Sequence, residues 1–193
     1  MRRGFTLIEL LVVIVIIGLL AGIGIASFGG ALNKSKTGVA ISTATEMKQA
    51  VKRYYLDNGF YPPDVGRGMD PGFMQALPTN PDTGVAISPL PPCAHCPANW
   101  NTTITSTWGG PYLDSYPNTP YGGEYDYNYW PPRAAGPYDR YGCLVDFGVY
   151  VGIQGDAANA NTIPPSEEQK LIDADWDADH CINGESQMLL VPL

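Results

Sequence analysis

Residues 4–33 read GFTLIELLVVIVIIGLLAGIGIASFGGALN, and the reading of this stretch decides the architecture. From Leu10 to Asn33 it runs for 24 residues without a charge, bounded by Glu9 before it and by Lys34 and Lys36 after it. At 1.5 Å per residue a helix over this run is roughly 36 Å long, enough to cross a hydrocarbon core of about 30 Å. No second apolar run of that length follows, so the sequence predicts one membrane span. A secretory signal peptide would carry a small-residue cleavage site after the apolar stretch. Gly24-Ile25-Ala26 could be forced into that role, but Glu9 would then be unexplained.

The rest of the chain is of a different composition. All 18 prolines of the 193 residues lie at or after Pro62, and the net charge is -8. This partition excludes a simple soluble globule. With 11 Lys and Arg against 19 Asp and Glu, and no basic cluster in the distal part, the footprint of a nucleic-acid-binding protein is missing.

Glu9 raises the question of partners. A carboxylate deep in a membrane costs about 2.5 to 3.5 kcal/mol, whereas one at the headgroups costs little, and four residues from Phe5 either depth is open. If the chain is cut between Gly4 and Phe5, the new α-amine of Phe5 supplies a positive charge, and Glu9 can neutralise the amine of a neighbouring copy.

Arg2-Arg3-Gly4-Phe5-Thr6-Leu7-Ile8-Glu9-Leu10-Leu11 resembles the class III signal of type IV pilins and type II secretion pseudopilins. The resemblance implies that a prepilin peptidase cuts after Gly4, that Phe5 becomes N-methylated, and that Glu9 directs subunit assembly. It implies further partners: membrane lipid before assembly, an inner-membrane assembly machinery, and other copies in a homo-oligomeric filament. The expected location is the cytoplasmic (inner) membrane as a single-pass precursor, then a periplasmic or extracellular filament.

The helix is predicted to continue beyond the span. Val39, Thr43, Met47, Val51 and Tyr54 recur at steps of three or four, with Lys48, Lys52 and Arg53 on other faces. Its stop is Asp57-Asn58-Gly59 before Tyr61-Pro62-Pro63, because Gly accepts the left-handed cap and Pro cannot continue a helix. A helix from Phe5 to Asp57 would be roughly 80 Å long. Gly18, Gly22, Gly24, Gly29 and Gly30 crowd its first half, and serve either flexibility or close helix packing.

Residues 59–193 are predicted to form a β-rich head. Strands are expected over 124–130, 144–153 and 186–191, the first half-exposed because Tyr125, Tyr127 and Tyr129 alternate with polar residues. Packed on the second half of the helix, three such strands give an α+β, pilin-like fold with a small antiparallel sheet. The domain plan is a leader at 1–4, a transmembrane assembly helix at 5–33, its amphipathic continuation at 34–58, and the head. Residues 54–62, 108–113 and 120–125 resemble pseudopilin segments around the helix exit and the approach to the first strand. The insertion over 79–107 and the long C-terminal loop depart from the compact major pseudopilin.

Four cysteines outside the cytoplasmic membrane read as disulfides with three possible pairings. The resemblance to type IV pilins, many of which bound a C-terminal loop with a disulfide, implies Cys143 with Cys181, leaving Cys93 with Cys96 as a small staple. Rival readings of Cys93-Ala94-His95-Cys96 fit less well. A c-type haem needs His directly after the second Cys, where Pro97 stands, and a thioredoxin-like role needs a βαβ frame. A zinc site from Cys93, Cys96, His180 and Cys181 would use an adjacent His-Cys pair of poor chelating geometry.

Between Cys143 and Cys181 lie eight acids and one base, Lys170. Asp173, Asp175, Asp177 and Asp179 alternate, and in an extended segment they would aim oxygens to one side, as calcium requires. Ala178 and Gly184 exclude an EF-hand. Major pseudopilins bind calcium before their last strand, and the resemblance implies Asp156 with these four aspartates as ligands; a solvated acidic loop is the open alternative. The nine tyrosines from Tyr112 to Tyr150 are expected in strands and turns. Asn101-Thr102-Thr103 fits a glycosylation sequon.

With two histidines 85 positions apart and no nucleophile beside an evident base, the residues offer no active site and the chain is expected not to be an enzyme. The expected function is a structural subunit of a type IV pilus-like filament. A type II secretion pseudopilin of a short periplasmic filament is the alternative, and a membrane-tethered metal- or redox-binding domain is the rival of another class.

Overall fold

The computed structural model describes residues 7–140, 142–154 and 163–193, and for residues 21–35 the backbone alone. Helix α1, Leu7–Asn58, is followed by the short strands β1 (Thr79–Asn80) and β2 (Val85–Ala86) and by helix α2 (Trp100–Thr107). Then come β3 (Glu124–Trp130), β4 (Tyr138–Arg140), β5 (Cys143–Val145), β6 (Gly148–Gln154), α3 (Pro165–Asp173) and β7 (Ser186–Pro192). The chain divides within α1 into two units, one up to Lys36 and one from Thr37 on. The backbone of α1 is helical through its glycines and stops where expected. Gly59 takes φ +78° and donates its N–H to Tyr55 O at 2.8 Å, a left-handed cap that no β-branched residue would accept without strain.

The second unit is built on one face of α1. Ala40, Ala44, Met47, Ala50, Val51 and Tyr54 are buried there. The lower part of the stripe expected from the sequence is thus confirmed, but its upper part is shifted by one position. Val39 is exposed and Ala40 is the core residue, so the buried face of the helix is turned by one position from the expected stripe.

Strands β3, β6 and β7 form one antiparallel sheet with β6 in the middle. Tyr125 and Tyr127 of β3, Val149, Val151 and Ile153 of β6, and Met188 and Leu190 of β7 share the core with the α1 face. Aromatic rings close the end near the helix exit: Tyr54 meets Phe60 and Tyr112 edge-on at 5.9 and 5.8 Å, and Phe73 meets Tyr127 edge-on at 5.8 Å. Of the tyrosines from Tyr112 to Tyr150, Tyr112, Tyr125, Tyr127 and Tyr150 are buried, in keeping with a packing role, while Tyr141 lies outside the described residues.

Three departures from the expected head have physical reasons. First, the 144–153 strand is interrupted at Asp146-Phe147: β5 turns away to pair with β4, while β6 enters the main sheet. Secondly, β3 is not half-exposed, since Asp126 and Asn128 are buried as well as the tyrosines. A polar layer covers them, in which Arg67 donates to Gln154 Oε1 at 2.6 Å and the charges of Asp64, Arg67 and Arg140 act on Asp126. Thirdly, two helices interrupt the expected run of strands. Helix α2 lies in the 79–107 insertion and buries Trp100 and Ile104 in the main core, leaving Asn101 of the sequon exposed. Helix α3 starts with Pro165 in its first turn followed by Glu167 and Glu168, a favourable order at a helix N-terminus.

Met47 therefore carries head stability, while Leu56, 80% exposed on the same helix, does not. Met47→Ala should cost about 2 to 5 kcal/mol in denaturant unfolding of the full chain, and Leu56→Ala should stay within about 0.5 kcal/mol. Equal losses at the two positions would contradict this packing.

Candidate functional site

Two regions carry functional chemistry: the start of α1 and the disulfide-bounded loop. At the start of α1 every side chain from Leu7 to Leu20 is exposed, and apart from Glu9 and Gly18 all are apolar. Leu7 is 89% and Leu20 64% exposed, so the greasy surface runs all round the helix and not along one stripe. Such a helix is stable in lipid or among other helices and not in water. Glu9 sits in its first turn, where the positive end of the helix dipole favours an acid. Gly4 and Phe5 lie outside the described residues. Among the described residues no helix is long and apolar enough to cross a membrane; the uncharged run continues to Asn33, through residues whose side chains are not described.

The loop leading to β7 is closed by the Cys143–Cys181 disulfide, and Cys93–Cys96 forms the second bridge, as the pilin resemblance implied. The zinc reading is overturned, because the sulfurs of Cys93, Cys96 and Cys181 are all taken up in these bridges. The aspartates do not form an extended row. Asp173 ends α3 and accepts a hydrogen bond from Gln169 at 2.8 Å, and Asp175 is exposed in the left-handed region at φ 58°. The helix sets those two residues at a turn, which breaks the alternation the sequence suggested. Asp156 lies outside the described residues.

Of the four candidate aspartates among the described residues, Asp177 and Asp179 turn inward. Asp177 Oδ1 accepts the N–H of Gln187 at 3.0 Å, and Ala178 donates to Gln187 O, so this segment is tied to β7. Asp179 accepts the N–H of Cys181 and a bond from the Asn183 amide. Glu168, on α3, accepts the N–H groups of Asn183 and Gly184. Helix α3 thus holds the loop through a carboxylate whose role the alternating-Asp pattern did not reveal. One residue earlier on α3, Glu167 accepts from Lys170 at 2.6 Å and from Thr37 at 3.0 Å.

Burial makes Asp177, Asp179 and Glu168 reluctant to ionise. Asp177 is pushed up to about 7, first by desolvation and then by the charges of Asp179 and Glu168. Desolvation also raises Asp179, Glu168 and Glu185. Asp177 Oδ2 is buried with no hydrogen-bond partner among the described residues. Such a loop can hold a proton, or a hard cation that takes its place. Groups of three or more ligating side chains gathered within 4.8 Å among the described residues are Cys93 with His95 and Cys96, and Asp179 with Cys143 and Cys181; Asp177 and Asp179 interact as a pair without a third ligand of this kind.

Residues 1–25 match the family model of the prokaryotic N-terminal methylation motif. Over 64 residues the chain is 39% identical to the type IV major pilin protein PilE of Neisseria gonorrhoeae, a match covering 33% of this chain and 38% of that protein. The chain spans about a third to two fifths of the length of such pilins. It is 31% identical over 160 residues to the type II secretion system core protein G of Pseudomonas aeruginosa, covering 83% of this chain and 94% of that protein. The Escherichia coli core protein G is 33% identical over 124 residues, covering 64% of this chain and 70% of that protein. No solved structure matches the chain.

The raised carboxyls fix the sign of a pH dependence. Asp64 is raised to about 6 and Asp126 to about 7, again mainly by desolvation, in the same direction as Asp177. The folded head binds more protons than the unfolded chain between the ordinary carboxylate range and about pH 7, so its stability falls as pH rises across that window. With a chelator present, the melting temperature should be higher at pH 5 than at pH 7, and the reverse order would contradict the burial of these acids. Recovery at pH 7 on adding calcium supports the cation reading of Asp177 and Asp179, and no recovery removes it.

Proposed function

The chain belongs to the family of type IV pilins and type II secretion pseudopilins, and from that premise we propose that it is made as an inner-membrane precursor, cut after Gly4, and polymerised through α1 into a secretion-type pseudopilus. The observation that carries the filament role is the start of α1: an apolar surface exposed on all sides, interrupted by one acid in the first turn. Lipid covers this surface in the precursor, and the same segments of other copies cover it in the filament.

Processing supplies the charge that assembly uses. Hydrolysis of the Gly4–Phe5 bond by a prepilin peptidase leaves a new α-amine on Phe5, and methylation keeps that nitrogen basic. The Glu9 carboxylate of one copy pairs with the amine of its neighbour. A carboxylate that costs about 2.5 to 3.5 kcal/mol alone in lipid becomes part of a neutral pair, so correct register between copies is favoured over continued residence in the membrane. The role is structural, in line with the relatives' names.

The extent of similarity favours a pseudopilin over a pilus subunit. The match to core protein G of Pseudomonas aeruginosa runs through the head, whereas those to the pilins span about a third of this chain. A pilus subunit is the second reading, supported by the Cys143–Cys181 bridge around an enlarged loop.

Mass analysis of the mature N-terminal peptide should find it beginning at N-methylated Phe5. A start at Met1, or at a site beyond the apolar run, would sink the processing scheme. Glu9→Ala should still insert in the membrane but give few filaments, counted by electron microscopy after shearing; wild-type numbers would remove the charge-pairing step.

A further inference from the structure

One side-chain cluster is not used by the assembly scheme proposed above: the Cys93–Cys96 bridge with His95 between its two halves. Cys93 Sγ lies 3.6 Å from His95 Nδ1 and 3.4 Å from Nε2. The ring is fixed from its other sides. Nε2 is 3.1 Å from Tyr61 O and 3.0 Å from Pro62 O, and the imidazole stacks on Tyr129 with ring centroids 3.5 Å apart. A carbonyl oxygen can only accept, so Nε2 carries the proton it donates there, and Nδ1 is the basic nitrogen of a neutral ring whose two nitrogens both lie within 3.6 Å of the sulfur. Cys93, His95 and Cys96 are half-buried, open enough for a thiol to approach.

We propose that Cys93 and Cys96 form a redox-active dithiol–disulfide couple that exchanges with external thiols, with His95 holding the thiolate of Cys93. An incoming thiolate attacks Cys96 Sγ and forms a mixed disulfide, while the electron pair of the Cys93–Cys96 bond leaves on Cys93 Sγ. A second thiol attacks the mixed disulfide, releasing the external partner as its own disulfide and Cys96 as a thiol. Two external thiols thereby lose two electrons and two protons; one proton ends on Cys96 and the other on His95 Nδ1, which makes the ring an imidazolium beside the Cys93 thiolate. The reverse sequence oxidises a dithiol substrate.

The histidine contact is what distinguishes this bridge. A sulfur that leaves as a stabilised thiolate leaves faster, and Cys-x-x-Cys pairs beside an imidazole have thiol pKa values well below that of a free cysteine. Burial lowers His95, so the ring is neutral in the oxidised state and takes up its proton when the thiolate appears. The titratable groups around it are the phenols of Tyr61 and Tyr129, raised by burial, and the Asp64 carboxyl, which accepts the N–H of Tyr129. The βαβ frame of thioredoxin-like proteins is not needed for this step, which rests on the imidazole alone. Cys143–Cys181 provides a contrast within the same head: Cys143 is buried, the carboxylate of Asp179 lies beside the pair and disfavours a thiolate, and the Asn183 amide that donates to Cys143 Sγ is not a base.

The test uses the full-length chain in detergent, equilibrated with reduced and oxidised glutathione, quenched with acid, alkylated and read by peptide mass. Cys93–Cys96 should open in a buffer that leaves Cys143–Cys181 closed. Once reduced, Cys93 should alkylate at pH 6 about tenfold or more faster than Cys96, reflecting a thiolate held at a lowered pKa. His95→Gln keeps an N–H for the two carbonyls but cannot store a proton, and should abolish that difference while leaving the melting temperature and Cys143–Cys181 intact. Bridges that open together, or a Cys93 that alkylates with an ordinary thiol profile unaffected by His95→Gln, would overturn the proposal.

Discussion

The contact between one face of α1 and the inner face of the β3-β6-β7 sheet is the interaction on which the head depends. Ala40, Ala44, Met47 and Val51 line the buried face of the helix, and Tyr54 anchors the aromatic cluster at the exit. Segments that follow the helix are added to this core in turn. Phe60 and Phe73 pack on it, α2 contributes Trp100 and Ile104, and α3 contributes Leu171. Even the outer, polar layer is fixed indirectly, since β6 is central in the sheet and buried on both faces.

The chain needs an apolar helix twice, for two different purposes. From Thr37 on, a single stripe of α1 is satisfied within the chain. From Leu7 to Leu20 the apolar surface is complete around the helix and exposed, with no one face set aside for a core. This difference in periodicity, a stripe against a full circumference, is the physical basis for separating a structural segment from an assembly segment.

Much of this was legible from residues alone. The period of Met47, Val51 and Tyr54, the stop at Gly59 and the alternation of Tyr125, Tyr127 and Tyr129 are local signals, and the structure follows them. What was missed depends on tertiary context. Asp126 and Asn128 look solvent-facing from the alternation, but the fold buries both and brings the charges of Arg67 and Arg140, from distant segments, to act on Asp126. The Asp173 to Asp179 pattern reads as a strand, but α3, started by Pro165, runs through Asp173 and leaves two carboxylates outside and two inside. Glu168 carried no signal as a loop holder because its partners are backbone N–H groups at 183 and 184. His95 could be seen beside the cysteines, but its base-like nitrogen became evident only once the fold placed Tyr61 O and Pro62 O against the ring.

Filament assembly, as proposed, requires that the exposed start of α1 be covered by other copies of the same segment. Electron cryo-microscopy of filaments assembled from the processed chain tests this most directly. Leu7 to Leu20 of neighbouring copies should pack against one another at the filament axis, with Glu9 of each within ion-pair distance of an adjacent Phe5 amine. A reconstruction in which these segments are exposed to solvent, or in which Glu9 faces no neighbour's N-terminus, would contradict it.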